Sequence, residues 1–262
     1  RMGKSGSLWV HKATHHFDLL NWWLNSEPVE VMAYGSLEHY GKNNSFRGSK
    51  CRGCEYKDQC KFYWDINKDQ RLVDLYVKNE QHDGYIRAGC VWSNEIDIYD
   101  KMSAQIIYAN GVTANYSLTT YSPYEGWQIA FNGMKGRIET WEDIPYLQKM
   151  QDDQAKRHEV EMSQGEKQVG NDVREIMVMD NFNRDYEIFT TPKIAAGHGG
   201  GDVRMQRRMF IDTNDNPHHI MAGTRDGAMS ILIGIAARKS IKERRPVKIA
   251  ELTDLVPMAN RY

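Results

Sequence analysis

The residues best equipped for chemistry crowd together near the start of the chain: His11, Lys12, His15, His16 and Asp18, with Trp22 and Trp23 just beyond. Imidazoles move protons near neutral pH, a carboxylate orients an imidazole or takes a hydroxyl, and tryptophan offers a flat apolar face. Wound as one helix over Leu8–Leu24 at roughly 100° per residue, Ala13, Phe17, Leu20 and Leu24 make an apolar arc that can pack on a core. His11, His15, Asp18 and Trp22 fall on the far side within roughly 60°, and Lys12, His16, Leu19 and Trp23 line the flank between. The spacing predicts a helix with one face for packing and one for proton transfer and polar ligand binding. The plainer alternative is a solvated face on which Asp18 and a histidine satisfy each other. His11 and His15, four apart, also suit two imidazoles on one ion, but no third ligand is evident and no glutamate follows His11.

A second cluster is sulfur. Cys51, Cys54 and Cys60 lie within ten residues, and the fourth cysteine is Cys90. Two cysteines separated by two residues can wrap both thiolates around one tetrahedral metal, and two more would complete an all-thiolate zinc site. Disulfides in an exported protein, or free thiols, are the alternatives; an iron–sulfur cluster suits the spacing less well. Under each reading the cysteines staple a long loop. A third cluster is Ala196-Gly197-His198-Gly199-Gly200-Gly201-Asp202, where glycines let backbone approach a ligand and Asp202 is placed to cap a helix running through Met209. A flexible turn with a capping aspartate is the simpler reading.

The elements that must carry these residues follow from pattern. The first helix should end near Asn25-Ser26-Glu27-Pro28, where proline stops it. A strand over Val29–Tyr40, a polar loop Gly41–Lys50, and a helix from Phe62 to about Val77 are expected. Strands follow at Met102–Tyr108, Val112–Thr120, Trp127–Phe131, Arg137–Trp141, Glu175–Met179 and Tyr186–Phe189, with Asn110-Gly111 predicting a type I′ hairpin. Gln148–Gly170 reads as a polar, exposed excursion. A last helix over Asp226–Lys239 presents Met229, Leu232, Ile233 and Ala236, with Arg225 at its start, and Pro246–Leu252 reads as a short strand. The fold class is therefore α+β: an open, mostly antiparallel sheet with helices packed on one face. Residues 1–262 read as a single domain, with 41–90 an inserted cysteine-bearing loop and helix.

The chain has 262 residues, 40% hydrophobic and 26% charged, enough for a sizeable core. A formal net charge of −1 gives no electrostatic argument for nucleic acid or an anionic membrane. No apolar run is read as reaching the roughly 20 residues that span a bilayer. No secretory signal is read at Arg1-Met2-Gly3-Lys4, and the early helix suggests an upstream part. A cytoplasmic address is expected, with export the alternative if the cysteines are oxidised.

The order of motifs resembles the C-terminal domain of the glucose–fructose oxidoreductase, inositol dehydrogenase and MocA family. The resemblance rests on His15-His16-Phe17-Asp18-Leu19-Leu20, matching a His-x-x-Asp-Leu-Leu helix, and on Gly133-Met134-Lys135-Gly136-Arg137-Ile138-Glu139, matching a sheet turn. The four cysteines resemble one branch of it. The resemblance implies a dihydrodipicolinate-reductase-like C-terminal sheet domain, with NAD or NADP held by an N-terminal nucleotide-binding domain that is absent from these residues. It implies His15 as the proton-transfer residue beside Lys12 and Asp18, and subunits packed through the sheet as a homo-oligomer. His11 stands where many relatives carry an aspartate. No Gly-x-Gly-x-x-Gly between strand and helix, and no Glu-Lys-Pro, occurs in the chain.

The expected function is the substrate-binding and catalytic half of an NAD(P)-dependent oxidoreductase acting on a hydroxyl of a sugar, amino sugar or cyclitol. His15, Lys12 and Asp18 would be catalytic, and His11, His16, Trp22, His198, Asp202 and Arg225 would bind substrate. Cys51, Cys54, Cys60 and Cys90 would hold structural zinc. The isolated domain should be inactive. The alternatives are an NAD-dependent glycoside hydrolase of the same superfamily, and a non-catalytic, zinc-stapled oligomerisation or carbohydrate-binding module.

Overall fold

The computed structural model describes residues 1–145, 167–183, 185–195, 197–212 and 216–262. The chain divides into two compact units, one formed by Arg1–Tyr121 with His219–Tyr262 and the other by Ser122–His218. The antiparallel α+β character is as expected, but the strands are shared between two four-stranded sheets rather than one meander.

In the first unit, β1 (Pro28–Ser36) pairs antiparallel with β2 (Lys101–Tyr108) and β8 (Val247–Lys248), and β2 pairs with β3 (Thr113–Thr119). Alternation decides which face is covered: Met102, Ala104, Ile106 and Tyr108 are buried, while Lys101, Ser103 and Gln105 are exposed. The covering layer is α7 (Thr224–Glu243), which lies along β1, with α2 (Leu8–His11) and α3 (Thr14–Trp23) packed against it. Met229, Ile233, Ala236 and Ala237 from α7 meet Trp9, Ala13, Phe17, Val31 and Ile106 in one core. The backbone approach is close, since a Cβ added at Gly234 would stand 2.5 Å from the Trp9 carbonyl oxygen. Polar stitches hold the same layers: Ser240 accepts from the Ala33 amide at 2.9 Å, and the Thr14 and Ser230 hydroxyls lie 3.1 Å apart.

Three expectations are corrected here. The helix predicted over Leu8–Leu24 breaks at Lys12-Ala13, because the Ala13 amide reaches back to the Leu8 carbonyl at 2.8 Å in a widened turn. His11 therefore ends α2, while His15 belongs to α3, so the two histidines stand on separate helices rather than on one. The stretch Pro217–Glu243 is long and apolar enough to span a bilayer by composition, with a mean hydropathy of 1.2 in its most apolar part. Its burial under α2 and α3 and against β1 is that of a core helix. The hairpin at Asn110-Gly111 is a type I turn with a left-handed glycine, because only Gly111 has positive φ, at 87°, and its amide bonds the Tyr108 carbonyl. Asn110 also donates to the Leu24 carbonyl at 3.0 Å, which fastens the hairpin tip to the end of α3.

Between β1 and β2 runs the cysteine-bearing connection. The single helix expected from Phe62 is instead a 3-10 turn at Ile66–Lys68, α4 (Gln70–Leu75), a second turn at Val77–Asn79 and α5 (Glu80–Asp83). Asp65 and Asp69 cap successive pieces and so punctuate what periodicity alone would run together.

The second unit contains β4 (Trp127–Asn132), β5 (Gly136–Glu142), β6 (Lys167–Asp180) and β7 (Tyr186–Ala195), paired in that order, followed by α6 (Gly201–Phe210). Gly136 is required by a close approach, because a Cβ there would stand 2.4 Å from the Met179 carbonyl oxygen. The polar excursion predicted from Gln148 lies outside the described residues up to 166, and residues 167–170 belong to β6. Ala196 also lies outside them.

Candidate functional site

α3 is amphipathic in the ordinary way, with Phe17 and Asn21 buried and His15, Leu19 and Trp23 exposed. Phe17 meets Trp9 and Tyr116 edge-on, at centroid distances of 6.3 and 5.0 Å, so the helix is locked in rotation about its axis. That lock sets where the polar residues go. His16 is half-buried, and its Nδ1 lies 2.8 Å from the hydroxyl of Tyr116 on β3. Burial, then the neighbouring His15 and Lys12 charges, lower the His16 pKa. Burial likewise holds the Tyr116 hydroxyl protonated far above neutrality. A neutral imidazole facing a phenol results: His16 supports the helix and its ring is engaged from behind.

His15 points the other way, to solvent. Beside it Asp18 is half-buried, and burial raises its pKa, with Asp226 adding to the rise and Arg261 and His15 opposing it. Arg261 pairs with Asp226 on the first turn of α7, and its charge also acts on Asp18. Its backbone amide donates to the Asn25 carbonyl at 3.2 Å and to the Asn25 side chain at 3.1 Å. Tyr262 stacks flat on His219 at 4.2 Å, with the Arg261 guanidinium 5.1 Å from its ring centroid. The C-terminal segment thus closes against the polar side of α3. An exposed imidazole beside an under-compensated carboxylate can accept a proton, and the carboxylate can orient it or bind a hydroxyl.

The structure treats the other predicted site residues differently. His11 and Lys12 are exposed at the helix break, and Trp22 is half-buried beside Trp23 with rings 6.3 Å apart. Arg225 forms a two-pronged pair with the fully buried Glu27, at 2.8 and 2.7 Å, and donates to the Val256 carbonyl at 2.6 Å. Those bonds occupy the guanidinium in holding the C-terminal segment. His198 and Asp202 belong to the second unit, where they bond each other at 2.9 Å. Asp202 is not the cap expected of it: Gly200 takes that position, and Asp202 sits in the first turn of α6. Residues that sequence reasoning passed over are Tyr116, Arg261, Tyr262 and His219, whereas Asp226 is legible beside Arg225 as a helix cap and accepts the Gly223 amide at 2.6 Å. Asn21 did carry a signal, as an amide on an apolar face, and it is fully buried with neither side-chain polar atom hydrogen-bonded among the described residues.

Residues 1–249 match the model of the oxidoreductase family's C-terminal α/β domain, the glucose–fructose oxidoreductase, inositol dehydrogenase and MocA type. The chain belongs to that family. The Bacillus subtilis (strain 168) protein YteT, named as an oxidoreductase, is 32% identical over 267 residues, which is 95% of this chain and 57% of YteT. The chain thus spans little more than half the length of that relative. Two solved structures share the fold. One, from Desulfitobacterium hafniense DCB-2 and described as an NADPH-dependent oxidoreductase, has a TM-score of 0.52 at 14% identity over 95% of this chain and 49% of the other. The second is the transcriptional regulator Gal80p from Kluyveromyces lactis, with a TM-score of 0.50 at 13% identity over 94% of this chain and 46% of the other.

The family domain contains α2, α3 and the sheet turn, whereas Arg261 and Tyr262 lie beyond its matched residues. Within this chain nothing described fits a dinucleotide. Among the described residues every strand pairing is antiparallel, so no strand–helix–strand unit there presents a helix N-terminus to a pyrophosphate. The glycines at 197–201 follow β7, which pairs antiparallel with β6.

Proposed function

We propose that this domain is the substrate-facing and proton-transferring part of an NAD(P)-dependent oxidoreductase that acts on a hydroxyl of a sugar, amino sugar or cyclitol. A nicotinamide nucleotide supplies hydride transfer when bound, and in this reading it is held by a part of the protein outside these 262 residues. The observation that carries the proposal is the exposed His15 next to Asp18, on a helix whose rotation is fixed by Phe17 and His16. His15 holds the proton of the substrate hydroxyl. Asp18 orients that ring, and Lys12 adds positive charge at the helix break. His11 precedes the N-terminal end of α3, near Lys12, whereas Trp22 lies in its last turn. Arg225 is assigned to the framework, because its donors are taken by Glu27 and Val256.

The test uses the full-length protein with NAD and NADP against a panel of sugars, amino sugars and cyclitols. Replacing His15 with alanine should lower kcat by about 10²- to 10⁴-fold, the usual share of a general acid–base residue, with the melting temperature unchanged. Unchanged turnover would favour a non-catalytic binding module, a reading also supported by the fold likeness to a transcriptional regulator. The homo-oligomer is proposed through the uncovered face of the first sheet, where Tyr34 is 67% exposed among polar neighbours. Light scattering of wild type and Tyr34→Glu checks it, with dissociation expected of the variant.

A further inference from the structure

The connection between β1 and β2 is anchored at its base and gathers its cysteines at its far end. At the base, the buried Asp100 carboxylate accepts the amides of Glu38, His39 and Tyr40 at 2.8, 2.8 and 2.9 Å. His39, Tyr40, Phe62 and Trp92 then meet ring to ring, with centroids 4.8 to 6.0 Å apart. Further out, the Cys54 amide donates to the Cys51 carbonyl at 3.0 Å in a turn that needs Gly53 at φ 72°. The Cys51 amide donates to Ala88 at 2.9 Å and the Cys90 amide to Ser49 at 3.1 Å, so a short antiparallel bridge makes neighbours of residues far apart in sequence. The Cys60 amide closes a turn onto Tyr56 at 3.0 Å. All four cysteines line one cavity of about 130 Å³, and none is in a disulfide.

We propose that Cys51, Cys54, Cys60 and Cys90 close on a single zinc ion in this cavity. The donor set is all sulfur, since no carboxylate or imidazole lines the cavity, and such a set selects zinc over magnesium or calcium. Zinc bound by four thiolates carries a net charge of about −2, and Lys50 and Arg87 on the cavity wall offset it. Among the described residues no three such groups already stand at ligand geometry, so binding draws the thiols inward as their four protons pass to solvent. The ion thereby clasps the outer half of a connection that Asp100 fixes only at its root. This site is independent of hydroxyl oxidation at His15, and metal content reads it directly.

The full chain, purified under reducing conditions without chelator, should contain one zinc per chain by plasma mass spectrometry. Titration with a mercurial should release that zinc in step with the reaction of four thiols. Cys54→Ser and Cys90→Ser should each lose the metal and speed proteolytic cleavage within residues 41–100, while circular dichroism stays that of a folded domain. If a serine variant fails to fold, zinc removal from wild type by a chelator, reversed by added zinc, supplies the same readout. Four reactive thiols with no zinc after incubation with the ion would overturn the proposal. So would a mass deficit of two hydrogens per cysteine pair, which reports disulfides, or iron in place of zinc.

Discussion

Two carboxylates of the first unit, Glu27 and Asp18, show how differently the same group can be used. Glu27 is fully buried and every bond is answered: Arg225 grips both oxygens, the Met258 amide donates at 2.8 Å, and its own amide and carbonyl bond Met258 and Ala109. Asp18 is only half-buried, yet burial raises its pKa, and the nearby Arg261 is paired with Asp226. A buried charge with all its bonds made is a fastening, whereas a charge that folding leaves under-compensated marks a place where a ligand can complete the set. The contrast separates Arg225, which the sequence offers as a ligand-binding cation, from Arg261, which it does not offer at all.

The largest effect expected from this contrast is at Glu27. Replacing it with alanine leaves Arg225 without its partner and frees Met258, and stability should fall by about 3 kcal/mol. That is the lower end of the range for broken buried pairs, because Arg225 remains about a third exposed. The denaturation midpoint should drop with its slope unchanged, and a loss below about 1 kcal/mol would mean that the pair is not the fastening described. At Asp18 the sign reverses. A carboxyl whose pKa is raised in the folded state costs stability when ionised, so Asp18→Asn should keep or raise the melting temperature. On the role proposed for Asp18, as the charge that orients His15, turnover of the full-length protein should nevertheless fall by roughly 10- to 100-fold. A variant that melts lower with unaltered kinetics would make Asp18 a fastening like Glu27.

What could be read from the sequence follows the range of the interactions involved. Strand alternation is local, so Met102–Tyr108 is legible to within one residue of β2, and the apolar stripe from Met229 to Ala236 places α7. The identities of His15 and Asp18 are local too. The break at Lys12-Ala13 is not, because it accompanies the close approach of the Trp9 backbone to Gly234 on a distant helix. Nor is the role of Arg261, whose partners Asp226 and Asn25 lie far away in sequence. Arg225 and Asp202 were visible as charges, but what they bond was not. The four cysteines were legible as a group, and their convergence on one cavity is a tertiary fact made by the bridge between Lys50 and Gly89.

The smallest effect concerns the ring behind the site. The His16 pKa is lowered in the folded state, first by burial and then by His15 and Lys12, so the unfolded chain binds this proton more tightly. Stability from this group is therefore fully present above the ordinary imidazole pKa of about 6.5 and is lost as pH falls through that value towards the lowered one. Asp18 works against it, since its raised pKa makes acidification favourable to the folded state at lower pH. The two are separable because a glutamine at position 16 cannot titrate yet still offers Tyr116 a partner. Melting curves of wild type should therefore slope downward from about pH 7 to about pH 5, and His16→Gln should flatten that slope. The proposed working imidazole is His15, so the same variant should leave the pH–rate profile in place. A profile that shifts with His16 instead would move the working imidazole to the other side of the helix.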